Sequence, residues 1–593
     1  TAAGERMSAM DLQGAASAAT DAKTSLKSQA EANASGRRAT EPAGADAGGG
    51  GDEVGKDESE IDVWRAAAYG NVEAMKRMMD EDPGRVNEPD GAGYRPLQWA
   101  ALNNRVAGAT LLLERGAAIG AGDNDGQTAL HWACVRGSLP CAELLLRKGA
   151  ALNAADSRGY TPMHVAAQYG HTGMIYHFKM RWNADVEITD LDGRTALHWA
   201  AYKGFSDPVK LLVCMDADVY RADKEGCTAL HWAAIKGKSE AAHCLVRAGG
   251  LNALTAVDVD GNTPGALASE KGHRHLSQFL NSQQTTLLAR DRFWNQKGMA
   301  IACVGVIVGL MLLFINCVVF ARSTATMDVS LAFWSLVVCV CASIGLLYMR
   351  RVSNADPGFV TSTLLKSLRR GSRATSAETD VEERLNHPEL WSGNWSQLCV
   401  TCKLVKPFGT KHCSMRDKCV ARYDHYCPWM GNTIGKRNHR DFVVFLILES
   451  LAMLIAFAVA VVRLNEESPT ERFISSAGIV LFAFFDVVTL IPVLMLTVSQ
   501  LVQVGQNITT NELSNTHRYS YLKSESGFFN PFDRGSYVAN WRAFFMQSRN
   551  EPLVDSVAAP ELAVPRSLVS HDDDDDEAGD SDGDRTALLS RAV

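Results

Sequence analysis

No excess of positive charge runs through this 593-residue chain: 59 Lys and Arg stand against 67 Asp and Glu, a formal net charge of -8. That balance excludes a dedicated nucleic-acid binder, which needs a basic face. Charge of either sign is scarce, at 21% against 46% hydrophobic residues, so the bulk of the chain is globular or membranous rather than disordered. The fourteen cysteines lack the dense pattern of a small secreted disulfide scaffold. They fall in repeats, in apolar segments and in one cluster, which fits a reducing cytosolic setting with a single metal or catalytic centre. No apolar signal-peptide core follows Thr1. Residues 1–60, rich in Ala, Gly, Ser, Asp and Glu, are too poor in apolar surface to order themselves and are expected to be a disordered tail.

From 61 to 281 the chain repeats itself. The fragments YRPLQWAA at Tyr94, QTALHWAC at Gln127, YTPMHVAA at Tyr160, RTALHWAA at Arg194 and CTALHWAA at Cys227 recur every 33 to 34 residues, and a weaker NTPGALAS starts at Asn262. The period and the T-P-L-H-x-A signature resemble the ankyrin repeat, a turn followed by two short helices that bury their apolar faces only by stacking. About seven units are expected, with caps around Asp62 and Asn262. Trp99, Trp132, Trp199 and Trp232 share one repeat position. They read as packing between repeats or as a stripe that docks partners. His131, His164, His198 and His231 read as bridges between backbone groups, not metal ligands.

Four apolar segments follow, at 299–320, 329–348, 442–462 and 474–501, each near the roughly 20 residues a bilayer crossing needs. They pair into a first hairpin (292–349) and a second (442–504). The stretch 350–441 between them is rich in Lys and Arg, so the positive-inside rule puts it in the cytosol, with both termini and the repeats. Glu449 and Asp486 lie inside the third and fourth segments. They read as helix-packing residues, with a position near the interface also open to Glu449, or alternatively as part of the lining of an acyl cavity. Cys303, Cys317, Cys339 and Cys341 read as small packing residues. Asn394 and Asn507 match the glycosylation pattern, but the cytosolic placement predicts no modification. A polar segment occupies 505–550, and the tail 551–593, with the acidic run 572–577, is expected to be disordered.

The insert, with its core at 397–442, carries the chemistry. Cys399, Cys402, His412 and Cys419 have the residue types and spacing of a tetrahedral zinc site. Asp424, His425 and Cys427 then follow within DHYCPW. Acyl transfer through a thioester needs a thiolate. A neighbouring His takes the proton, and an acid orients the His.

These residues resemble the DHHC protein acyltransferases, in the branch with N-terminal ankyrin repeats. Asp356-Pro357-Gly358 matches the family's DPG motif. Lys406-Pro407 and His412-Cys413 match its cysteine-rich domain, and Pro428-Trp429, Asn432, Gly435 and Asn438 match the stretch after the nucleophile. Thr509-Thr510-Asn511-Glu512 matches TTxE, and Asn530-Pro531-Phe532-Asp533 with Asn540 matches the C-terminal PaCCT element. The resemblance implies a mostly helical protein: an ankyrin-repeat solenoid, then a four-helix transmembrane DHHC-type domain with a cytosolic zinc-binding cysteine-rich insert.

It also implies a protein S-acyltransferase. Cys427 takes a long-chain acyl group from the co-substrate acyl-CoA and passes it to cysteines of protein substrates at the cytosolic membrane face. His425 acts as base and Asp424 as its partner. The family usually binds two zinc ions. Here Cys399, Cys402, His412 and Cys419 complete one site. The second retains only Cys413, its other positions being Arg416, Tyr426 and Thr433, so one structural zinc is expected. Tyr426 replaces a structural ligand, not the base. Ankyrin-bearing members commonly have six spans, whereas four are found here. The protein partners are expected to be recruited by the repeats, and the membrane to be that of the Golgi, endosomes or cell surface. The competing reading is a membrane-anchored ankyrin scaffold with a dead catalytic domain. An ankyrin-bearing channel explains the spans but not the Cys/His insert.

Overall fold

Each copy of the TALHWAA unit opens a helix pair. In the computed structural model, which describes residues 62–290, 293–320, 328–361, 381, 385–466, 472–524 and 527–546, seven such pairs stack from Val63–Tyr69 with Val72–Glu81 to Pro264–Glu270 with Arg274–Arg290. The readings made for 1–60 and 551–593 lie outside the described residues.

The repeat signature is a capping device. In the helix Ala129–Arg136, the backbone N–H of Thr128 donates to His131 Nδ1 at 3.1 Å. His131 thus takes the place that Glu or Gln fills in a capping box. An accepting Nδ1 leaves the proton on Nε2, which donates to the Tyr160 carbonyl of the next repeat at 2.9 Å. His164 repeats the arrangement toward Arg194 and His231 toward Asn262. Burial holds all four repeat histidines below the ordinary value, His198 at about 4.

The tryptophans pack. Trp132, Trp199 and Trp232 are buried. The indole N–H groups of Trp99, Trp132, Trp199 and Trp232 donate to Asp90, Asp123, Asp190 and Asp223, each nine residues upstream, at 2.8–3.0 Å. Each indole therefore pins the turn that precedes its helix, so the docking-stripe reading falls. Gly204 ends the helix Ala196–Lys203 at φ 89, in the left-handed region that favours glycine.

Among the described residues, four helices are long and apolar enough to cross a membrane: Gly298–Val319, Val329–Asn354, His439–Asn465 and Ala477–Gly505. The second buries Leu331, Ser335, Val338, Ala342, Gly345, Met349 and Val352, steps of four and three that repeat every seven residues. That is a knobs-into-holes seam, and small residues within it let backbones approach closely. It packs on the third helix, which also packs on the fourth. Gly345 faces Glu449, whose carboxyl occupies the space a Cβ would need. Pro492 sits inside the fourth helix, where neighbouring helices can offset its missing N–H.

The insert between the second and third helices has regular structure that its sequence does not announce. Two- and three-residue strands form β1 (Phe359–Val360), β2 (Leu398–Cys399), β3 (Leu404–Val405), β4 (Lys411–Cys413), β5 (Lys418–Val420), β6 (His425–Cys427) and β7 (Asn432–Ile434). Strands this short show no readable alternation. They pair antiparallel as β1-β5-β4, β2-β3 and β6-β7.

The insert also docks on the repeats. Leu385, Leu390, Leu398, Val400 and Val405 join the core of the repeat array. Tyr176 donates its hydroxyl to the Leu385 carbonyl at 2.8 Å and meets Trp391 and Trp395 edge-on. Lys403 pairs with Asp216 at 2.8 Å, and the Cys214 thiol lies 3.6 Å from the Cys399 carbonyl.

Candidate active site and metal centre

The metal centre is built on two hairpins. Cys399 lies in β2 and Cys402 in the turn that follows, while β4 and β5 set His412 opposite Cys419. The ligand atoms of these four residues all lie within 4.8 Å of one another. His412 turns Nδ1 to Cys402 and Cys399, at 3.3 and 3.6 Å, and Nε2 to the Asp417 carboxylate at 3.5 Å. A carboxylate behind the second ring nitrogen is the usual partner of a metal-bound imidazole. Three thiols and one imidazole at this spacing fit zinc. It is the one such cluster among the described residues.

Cys413 points elsewhere: its sulfur is 3.1 Å from the Thr433 hydroxyl. Arg416 donates through Nη2 to the Gly431 carbonyl and to Asn432 Oδ1, both at 3.0 Å. With Tyr426 and Thr433 also lacking thiol or imidazole, these four residues do not fit a second ion.

The catalytic candidates sit on β6, which pairs with β7 in the register His425↔Ile434, Tyr426↔Thr433 and Cys427↔Asn432. Alternation along a strand sends His425 and Cys427 to one face and Tyr426 to the other. This separates the DHYC substitution from the chemistry: Tyr426 shares a face with Thr433, not with the thiol. Asn432 anchors the hairpin by donating to the Val352 and Ala355 carbonyls, at 2.8 and 2.9 Å, at the end of the second membrane helix. Asn438 ties its far end, accepting from Gly435 N–H and donating to the Thr433 carbonyl.

Cys427 is buried among Ile307, Met349, Phe442, Phe445 and Leu446 from the first three membrane helices, and it shares a face of β6 with His425, two residues before it. The imidazole Nδ1 of His425 meets Asp424 at 2.6 Å. Burial opposes the charged imidazole, but Asp424 and Cys427 outweigh it and raise His425 to about 9. Asp424 is itself buried, which opposes its charge, yet the neighbouring His439, the His425 ring and the Thr510 N–H together hold its carboxyl well below the usual range. Thr510 donates its backbone N–H at 2.6 Å and its hydroxyl at 3.0 Å to Asp424. Thr509 and Glu512 form the capping box that presents Thr510, and Arg422 pairs with Glu512 at 3.2 Å.

Sequence reasoning named Asp424, His425, Cys427 and the four zinc ligands, and the structure brings each set together. It missed Gln500, whose amide donates to Asp424 at 3.4 Å and whose oxygen meets His439 Nε2 at 2.7 Å. A glutamine in an otherwise apolar segment was the available signal. Ile307, packed in the cluster that holds Cys427, also lines a cavity among the membrane helices, with Met311, Phe314, Val338, Met453 and Phe482 among others. Glu449 and Asp486 line it too, so the cavity-lining alternative holds for both. Asn507, a glycosylation-pattern residue, has its amide engaged by Phe532 and Arg422.

Residues 393–517 match the family model described as DHHC palmitoyltransferase. Three overlapping matches to the ankyrin-repeat model cover 111–190, 149–223 and 174–255. The chain is 39% identical over 490 residues to the probable protein S-acyltransferase 23 of Arabidopsis thaliana, covering 80% of this chain and 90% of that protein. It is 40% identical over 139 residues to the human palmitoyltransferase ZDHHC12, covering 23% of this chain and 51% of that protein. Among solved structures, the human ASB11 ankyrin repeat domain is 28% identical with a TM-score of 0.33, covering 37% of this chain and 98% of that one.

Proposed function

We propose a two-step thioester mechanism for this chain, which belongs to the DHHC palmitoyltransferase family and is a protein S-acyltransferase. Cys427 is the nucleophile. Its thiolate attacks the carbonyl of a long-chain acyl-CoA, the bond to the CoA sulfur breaks, and CoA leaves as the thiol with the proton held on His425. In the second step a substrate cysteine gives its proton to His425 and attacks the acyl-enzyme, and Cys427 leaves. Asp424 keeps the His425 proton on Nδ1, so Nε2 faces the thiol. The observation that supports this reading is the relay His425–Asp424–Thr510, with Cys427 on the same face of β6 as His425 and buried among residues of the membrane helices.

The acyl chain is taken to lie in the cavity among the membrane helices, where each buried CH₂ contributes about 0.8 kcal/mol. Cys399, Cys402, His412 and Cys419 would hold one zinc ion, which when bound supplies structural order to the insert, not chemistry. The protein is multi-pass. The insert, the repeats and both termini are placed in the cytosol by the charge pattern. The repeats are taken to recruit protein substrates, and the membrane to be Golgi, endosomal or plasma membrane.

The test is self-acylation. The full-length protein in detergent is incubated with labelled acyl-CoA and then treated with neutral hydroxylamine. A hydroxylamine-labile label that vanishes in Cys427→Ser is the expected result. Well-folded protein without label would instead fit a catalytically silent ankyrin scaffold. Metal analysis should find one zinc per chain, and two would sink the ligand assignment.

A further inference from the structure

We propose that Arg416 is a positioning residue for acyl transfer: its guanidinium fastens the metal-binding hairpin to the catalytic hairpin, at a point where no metal ion can do so. The turn between β4 and β5 carries two neighbouring side chains that face different centres. Asp417 meets His412 Nε2 of the metal centre. Arg416 reaches the β6-β7 turn, where one nitrogen, Nη2, donates to both the Gly431 carbonyl and Asn432 Oδ1 at 3.0 Å. Asn432 is the register partner of Cys427 and the anchor of that hairpin on the second membrane helix. One tight turn therefore links the metal centre to the residue opposite the nucleophile.

The surroundings show what this contact replaces. Cys413 and Thr433 touch at 3.1 Å, and Tyr426 is the register partner of Thr433. Cys413, Tyr426 and Thr433 thus meet on the face of β6 that turns away from Cys427, and Arg416 reaches the β6-β7 turn beside them. They are one thiol, one hydroxyl, one phenol and one guanidinium, which cannot bind zinc. A cross-link is needed there because β6 and β7 are three residues each, and so short a hairpin is not stable alone. A planar guanidinium donating to a carbonyl and an amide oxygen supplies it without a metal. Arg416 touches no reacting atom, so it acts through the placement of Cys427 and His425.

The inference rests on Cys427 as the nucleophile, and Cys427→Ser tests that separately: label that survives in that variant refutes the nucleophile whatever Arg416 does. For Arg416 itself, full-length protein in detergent is compared as wild type, Arg416→Ala, and the triple variant Arg416→Cys, Tyr426→His, Thr433→Cys. The triple variant, with Cys413, offers three thiols and an imidazole at the same point. Arg416→Ala should form acyl-enzyme about tenfold or more slowly, with unchanged apparent KM for acyl-CoA and unchanged zinc content. The triple variant should take up a further zinc ion and recover the rate lost in Arg416→Ala. Four results overturn the inference. They are Arg416→Ala acting at the wild-type rate, Arg416→Ala losing zinc, the triple variant gaining no ion, and the triple variant gaining one yet staying as slow as Arg416→Ala.

Discussion

Replacing Asp424 by Asn keeps the shape of the side chain and removes its charge, which isolates what the carboxylate does. Two strong donors converge on it at 2.6 Å, His425 Nδ1–H and the Thr510 N–H, and the Thr510 hydroxyl and Gln500 amide approach at 3.0 and 3.4 Å. An amide has one accepting oxygen. If that oxygen stays with Thr510, the Asn NH₂ faces His425 Nδ1 and forces it to accept. The proton then moves to Nε2, and the imidazole can no longer take the proton of the Cys427 thiol. The charge matters as well. Between the ordinary histidine value near 6.5 and about 9 lies a gap of about 2.5, or roughly 3 kcal/mol of imidazolium stabilisation. Losing most of that and the correct tautomer together should slow acyl-enzyme formation by about 10²–10⁴-fold. Quenched-flow labelling with acyl-CoA measures the rate, and zinc content checks that the insert is intact. Labelling within a few-fold of wild type on zinc-replete protein would refute the relay.

Other consequences can be read from the same contacts. The repeat array should lose stability on mild acidification. His198 is held at about 4 when folded and titrates near 6.5 when unfolded, so the unfolded state takes up protons first as pH falls from 6.5 toward 4. At pH 5 that costs about 2 kcal/mol for His198, and His131, His164 and His231 act in the same direction. His198→Gln should blunt the fall in Tm between pH 7 and pH 5, because Gln98 already fills this position in another repeat, accepting from Arg95 N–H and donating to the Gln127 carbonyl. An unchanged Tm slope would contradict the assignment. Tyr176→Ala removes a ring buried against Trp391 and Trp395, a change worth about 3–5 kcal/mol. It should speed zinc release to a chelator, and an unchanged release rate would show that the repeats do not brace the insert. Gly435→Ala would set a Cβ 2.6 Å from the Pro357 carbonyl oxygen and 3.1 Å from that of Ala421. Backbone cannot yield as a side chain does, so a loss of about 1–3 kcal/mol is expected in thermal unfolding, together with slower self-acylation.

Much of this molecule was legible before any coordinates. The repeats announce themselves because stacking units of one size need the same cap, turn and apolar positions each time. The membrane helices do so because a bilayer demands a long apolar run. The metal ligands and the DHYC signature were readable because thiols and imidazoles at fixed spacing have few other uses. Tyr426 was harder to judge. Its neighbours in sequence are the base and the nucleophile, and a linear reading cannot tell which side of the chain it faces.

The sequence by itself pointed to the parts: which residues could hold zinc, which thiol is proposed as the nucleophile, which segments are long and apolar enough to cross a membrane and how many repeats stack. Tertiary structure alone decided their relations. It placed Tyr426 on the far face of β6, gave Asp424 the donors of Thr510, and closed the gap at Cys413 with Arg416. It also laid the repeat array against the loop that carries Cys399. The physical reason is range. Capping, periodicity and ligand spacing are properties of neighbouring residues, whereas these contacts join residues from 7 to 187 positions apart and exist only once the chain has folded back on itself.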